Sequence, residues 1–162
     1  MLPRLNAFYL LLLLPLLAVS PARADMMAAP EGWKVMQTPH AYADLVARLE
    51  KAIADNKMGR VTKASATVGA KQQLNQDIVG NTVIGVYRPD FAVRMLEASI
   101  PAGIEAPIRF YVTENTDGSA TLSYKTPSFV FAPYADGGEA LKALAAELDA
   151  IFAKIAADAV GG

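Results

Sequence analysis

Apolar positions recur along this chain with two different periods. Tyr42, Leu45, Val46, Leu49 and Ile53 fall at i, i+3, i+4, i+7 and i+11, which is one face of an α-helix. Opposite them lie Asp44, Arg48, Lys51 and Asp55, whose i, i+4 spacing predicts two solvated ion pairs. Thr38-Pro39 just before reads as an N-cap followed by proline at the first helical position. That start would put His40 in the first turn, where a positive charge meets the unfavourable end of the helix dipole. A second stripe, Leu141, Leu144, Leu148, Ile151, Phe152 and Ile155, predicts a closing helix released by Gly137-Gly138, with Asp149 on its polar side. A shorter helix is expected over Asp90 to Ala98, entered through Pro89. Its apolar positions are Phe91/Met95 and Val93/Leu96/Ile100, and Asp90, Arg94 and Glu97 form a surface charge ladder.

Elsewhere the period shortens to two. Strands are predicted at Trp33 to Thr38, Arg60 to Val68 and Thr82 to Tyr87, while "GAKQQLNQDIVGN" between the last two has no clear period. The clearest alternation is a hairpin. Ile108, Phe110 and Val112 alternate with Arg109, Tyr111 and Thr113; after "NTDG", Ala120, Leu122 and Tyr124 alternate with Thr121, Ser123 and Lys125.

A two-residue Asp117-Gly118 turn would set Val112 across from Ser123 and mix the two faces, the kind of slip that a half-buried sheet specifies against. A three-residue loop, Thr116-Asp117-Gly118 with Gly118 left-handed, instead pairs Val112 with Leu122 and Phe110 with Tyr124. The same register sets Tyr111 across from Ser123, Thr113 across from Thr121, and Arg109 across from Lys125. Two like charges in that relation are unfavourable by up to about 1 kcal/mol unless something negative lies between them. Glu105, in the stretch "GIEAPIRFYV", is one source of that charge; a bound anion and a carboxylate from a second subunit are the others.

The resulting order is β-α-β-β-α-β-β-α. It predicts a two-layer α+β fold with an antiparallel-rich sheet, helices on one face and the other face partly open.

The start of the chain bears on its address. Arg4 precedes an apolar run from Phe8 to Val19, and Ala22-Arg23-Ala24 supplies the small residues of a signal-peptidase site, so cleavage is expected after Ala24. The run is about a dozen residues, short of the roughly 20 that span a bilayer, and Pro15 interrupts it. Residues 1–24 are thus read as a signal peptide, 25–32 as a flexible lead-in and 33–160 as one domain, periplasmic or secreted and free of the membrane once cleaved. The chain holds no cysteine, which excludes a lipobox anchor, c-type haem attachment and disulfides. Loss of the leader removes Arg4 and Arg23 and no acid, so 15 basic residues become 13 against 16 acidic ones, a formal net charge of −3. With no basic surplus, nucleic acid is not an expected partner.

Catalytic motifs are sparse. There is no H-E-x-x-H, no phosphate loop and no thiol, and His40, the single histidine, has no Cys or carboxylate at ligand spacing. Neither a metal nor a cofactor is expected, and no catalytic residue is assigned. The candidate ligand-binding residues are Glu105, Arg109, Tyr111, Ser123 and Lys125.

The stretch "GNTVIGVYRPDFAVRMLEASIPAGIEAPIRFYVTENTDGSATLSYKTPSFVFAPY", residues 80 to 134, with "LAAELDAIF" after it, resembles the domain-of-unknown-function family 302 (DUF 302). More narrowly it resembles an exported proteobacterial branch carrying "FAVRMLEAS", "AGIEAPIRFYVTE" and "LSYKTPS". The resemblance implies a TATA-binding-protein-like two-layer domain and a homodimer, and it implies no activity. Many members carry an Asp-His pair before a Gly-Ala at the end of the second strand. Here that segment is Ala66-Thr67-Val68-Gly69-Ala70, so chemistry resting on the pair lacks its residues in this chain.

Three functions remain in view. The first is a noncatalytic module that binds a small anion or a partner on the open face. The second is an enzyme using a carboxylate such as Glu97, Glu105 or Glu114. The third is a structural domain that self-associates through the open face.

Overall fold

The computed structural model describes residues 29–161, so the leader and its cleavage site lie outside the described residues. The chain runs β1 (Trp33–Ala41), α1 (Tyr42–Asp55), β2 (Gly59–Ala64), α2 (Ala66–Gly69) continuing as a π turn (Ala70–Leu74), then β3 (Asn81–Tyr87) and α3 (Pro89–Ala98). A 3-10 turn (Pro101–Glu105), β4 (Ile108–Glu114), β5 (Ser119–Lys125), α4 (Pro127–Phe131), a second 3-10 turn (Ala135–Gly137) and α5 (Gly138–Val160) complete it. The five strands form one antiparallel sheet in the order β1-β5-β4-β3-β2. This is the expected α+β architecture, with strands β2 to β5 as neighbours in sequence order and the first strand added beside the last.

The core lies on one side of the sheet. Ile84, Phe110, Val112 and Leu122 from the strands meet Leu45, Leu49 and Ile53 of α1 and Leu141, Leu144, Leu148, Phe152 and Ile155 of α5, all buried. Phe152 stacks on Phe110 with ring centroids 4.6 Å apart, and Tyr124 tilts against both. Burying each such side chain contributes about 1.5–3 kcal/mol, so the α5 stripe alone accounts for much of the fold's cohesion. The hairpin has the expected register: Val112 faces Leu122, Phe110 faces Tyr124, and Gly118 is left-handed at φ 82°. Asn115 N donates to Ser119 O and Gly118 N to Asn115 O, closing the three-residue loop.

Several expected details are corrected. Thr38 does not cap a helix. Its hydroxyl donates to Ala120 O on β5 and is buried, and β1 continues through Pro39 and His40 before α1 starts at Tyr42. Proline is tolerated there because β1 is an edge strand and its ladder shifts register between Thr38 and Ala41. His40 therefore sits away from the first turn of α1. Its Nε2 lies 3.2 Å from Val160 O, and Arg48 Nε donates to Ala159 O rather than pairing with Asp44. Both side chains thus satisfy carbonyls at the end of α5. The second expected pair is present, with Lys51 Nζ 2.5 Å from Asp55.

The second strand ends at Ala64, four residues early. Ser65 Oγ accepts from Val68 N and turns the chain into α2, a local bond that wins because every residue of β2 is exposed and no core contact enforces alternation. In α3, Phe91 and Met95 are buried as expected, but Val93, Leu96 and Ile100 are exposed, because the helix turns its Phe91-Ala92-Met95 side inward. Its charges do not form a ladder either: Asp90 pairs with Arg88, and Arg94 forks onto Glu147 of α5.

Candidate functional site

The side of the sheet away from α1 and α5 is organised in rows that cross the strands. One row runs Trp33, Lys125, Arg109, Gly85 and Thr62, where continuing the β4–β5 register by one residue beyond Phe110–Tyr124 sets Arg109 across from Lys125. The next row runs Val35, Ser123, Tyr111, Val83 and Ala64. These residues face away from the core because side chains alternate along each strand, and Ile108, Phe110, Leu122 and Tyr124 take the other parity.

A cavity of about 630 Å³ opens on this face. Its floor includes Arg109, Tyr111, Lys125 and Val83; Trp33 stands at one end, and Ala64, Ser65 and Ala66 at the other. Glu105 and Val130 belong to the wall beyond the strand ends. Of the five candidate residues, Glu105, Arg109, Tyr111 and Lys125 line the cavity. Ser123 does not; it is buried within the sheet between Val35 and Tyr111.

The electrostatics differ from one expected arrangement. Glu105 does not neutralise Arg109: its Oε1 accepts a 2.7 Å hydrogen bond from the Tyr134 hydroxyl, and no carboxylate among the described residues lies within 4.0 Å of Arg109 or Lys125. The Tyr134–Glu105 bond raises the phenol above its ordinary 10.0, because an ionised phenolate would face the carboxylate. Lys125 leans over the Trp33 ring, with Nζ 5.7 Å from its centroid, a contact that leaves the ammonium charge in place. The cavity thus holds two adjacent cations that no carboxylate among the described residues meets.

Its polar rim is committed internally. Asn81 Oδ1 accepts from Ala66 N, and its Nδ2 donates to Thr67 Oγ1 and Val79 O, fixing α2 beside the cavity. Of the segment Ala66 to Ala70, only Ala66 reaches the cavity rim, and Thr67 serves to anchor Asn81. On the neighbouring row, Pro107 folds over Gly85: a β-carbon there would come within 2.8 Å of the ring's Cγ and 2.2 Å of Thr62 Oγ1. Trp33, Val83 and Asn81 were not among the sequence candidates. Nothing local signals Trp33, since its neighbour in the sheet lies 92 residues away at Lys125.

Among the described residues no group of three or more His, Asp or Glu is placed to hold a metal ion, and no helix is long and apolar enough to cross a membrane. No protein of curated function matches the chain. Among solved structures, an uncharacterised conserved protein DUF302 from Bacillus stearothermophilus is similar in fold, with a TM-score of 0.68 and 17% identity over 78% of this chain and 96% of its own. Residues 34–159 match the family described as domain of unknown function DUF302, and the chain belongs to that family.

Proposed function

We propose that this protein is a binding module whose open-face cavity takes a small organic anion, with the negative group seated between Arg109 and Lys125. The observation that carries this reading is the pair of cations side by side in a cavity with no carboxylate within ion-pair distance among the described residues. A sheet that places like charges across a ladder gives up stability, and a ligand anion recovers it in the bound state. Binding is favoured over reaction because Glu105, the carboxylate on the cavity wall, is engaged by Tyr134. We further assign the protein to an exported branch of the family, on the leader before Asp25.

A backbone-amide NMR titration with hexanoate tests the site. Shifts should concentrate at residues 109–111 and 123–125, and Arg109→Met or Lys125→Met should weaken binding about 10- to 150-fold, the worth of a charge-assisted hydrogen bond. Shifts scattered over the surface, or an affinity indifferent to both substitutions, would overturn the assignment.

A further inference from the structure

We infer that the ligand is a monocarboxylic acid with an unbranched apolar body, laid diagonally across the sheet from the Arg109–Lys125 pair towards Ala64. This rests on the reading of the cavity as an anion site and adds the ligand's charge and shape. The charge follows from the lining: Arg109 and Lys125 against Glu105 leave a formal surplus of one positive charge. One carboxylate neutralises it, whereas a dianion overshoots and sets its second charge against Glu105.

The body follows from what lies beyond the cations. From Arg109 the floor passes to the Tyr111 ring and Val83, then to Ala64 and Ala66. Along that path Asn81 is committed to Ala66, Thr67 and Val79, and Ser65 Oγ accepts from Val68 N, which leaves the Tyr111 hydroxyl as the polar group on the path without a hydrogen bond among the described residues. A body carrying several hydroxyls would find the Tyr111 hydroxyl to pair with and little else, and would lose most of its hydration without return. The path crosses two strand spacings and one two-residue step, about 12 Å, which suits an extended alkyl chain.

The test is a series of acetate, butyrate, hexanoate and octanoate titrated into the protein, with succinate and sulfate beside them. Affinity should rise up to about fourfold for each methylene that enters the cavity and level off once the path is filled. Succinate should bind more weakly than butyrate. Val83→Asn, on the open face, should shrink the gain per methylene, whereas Arg109→Met should weaken every acid by a similar factor. If all the acids bind alike yet remain sensitive to Arg109→Met, or if succinate or sulfate binds tightest, the anion site stands and the apolar monocarboxylate is wrong. A methylene gain indifferent to Val83→Asn also refutes the inference, because the body then lies elsewhere. Binding of the whole series indifferent to Arg109→Met and Lys125→Met refutes the site itself.

Discussion

Replacing Arg109 with methionine should make the unliganded protein more stable. Arg109 is exposed, has no carboxylate within 4.0 Å among the described residues, and stands across β4–β5 from Lys125 at the open end of the ladder. Like charges placed so cost up to about 1 kcal/mol, and methionine keeps most of the apolar stem that lies on the sheet. The corresponding change at Lys125 removes the same repulsion but also the contact with Trp33, worth about 0.5–1 kcal/mol at an exposed site, so Lys125→Met should be close to neutral. The two variants are distinguishable in urea denaturation followed by circular dichroism. Arg109→Met should raise the midpoint at unchanged slope, and Lys125→Met should leave it within error. Screening supplies a second check: at about 0.5 M salt, with the Debye length reduced to a few ångströms, the advantage of Arg109→Met should largely vanish. A destabilised Arg109→Met, or a stabilisation that ignores salt, would show that Arg109 has a role in the free protein that the geometry does not reveal.

Other perturbations test other parts of the structure. Leu148→Asp should prevent folding, since it buries an unpaired charge at several kcal/mol in the α5 stripe, and a cooperative melt near the parent's would refute that placement. Asp149→Ala, one residue on, should cost only about 1 kcal/mol, because Asp149 accepts from the Ser128 amide and hydroxyl at the start of α4; thermal denaturation reads the difference. Gly85→Ala should cost about 1–3 kcal/mol, since Thr62 can rotate away from the new methyl but the Pro107 ring cannot, and an unchanged urea midpoint would contradict the packing. Tyr134 should ionise above 10.0, and Glu105→Gln should bring its NMR titration down towards that value. The stability linked to this phenol is complete below the unfolded pKa near 10 and is lost as the pH rises through the folded one.

The hairpin was legible because its register is a local decision: only one loop length keeps Phe110, Val112, Leu122 and Tyr124 on one face. The stripes of α1 and α5 were legible for the same reason, each being a repeat within one element. Errors arose where a local signature had two outcomes. Thr-Pro occurs at Thr38-Pro39 and again at Thr126-Pro127; only the second starts a helix, α4, where Thr126 Oγ1 accepts from Phe129 N. At the first, a partner strand supplied Ala120 O to the hydroxyl, and tertiary pairing decided the outcome. Val93, Leu96 and Ile100 show the converse limit: apolar spacing marks a face, but which face is covered depends on where α5 lies. In the site, the cation pair followed from the hairpin alone. Trp33 and Val83 did not, because they reach the cavity through sheet neighbours that no pattern within one segment specifies.

The strand order also sets a timetable for synthesis. Among the described residues β1 is made first and finds its neighbour in the sheet last, since Trp33 pairs with Lys125, 92 residues later. At about 5–20 residues per second, β1 waits roughly 5 to 18 s, with its ladder groups open, for the strand that completes it. Strands β2 to β5 can zip up in the order they are made, but the helix whose stripe seals the core, α5, follows later still, ending at Val160. Almost the entire chain must therefore exist before any of it is secure, and for those seconds a nascent domain of this topology is a substrate for holdase chaperones and for any machinery that handles unfolded chains.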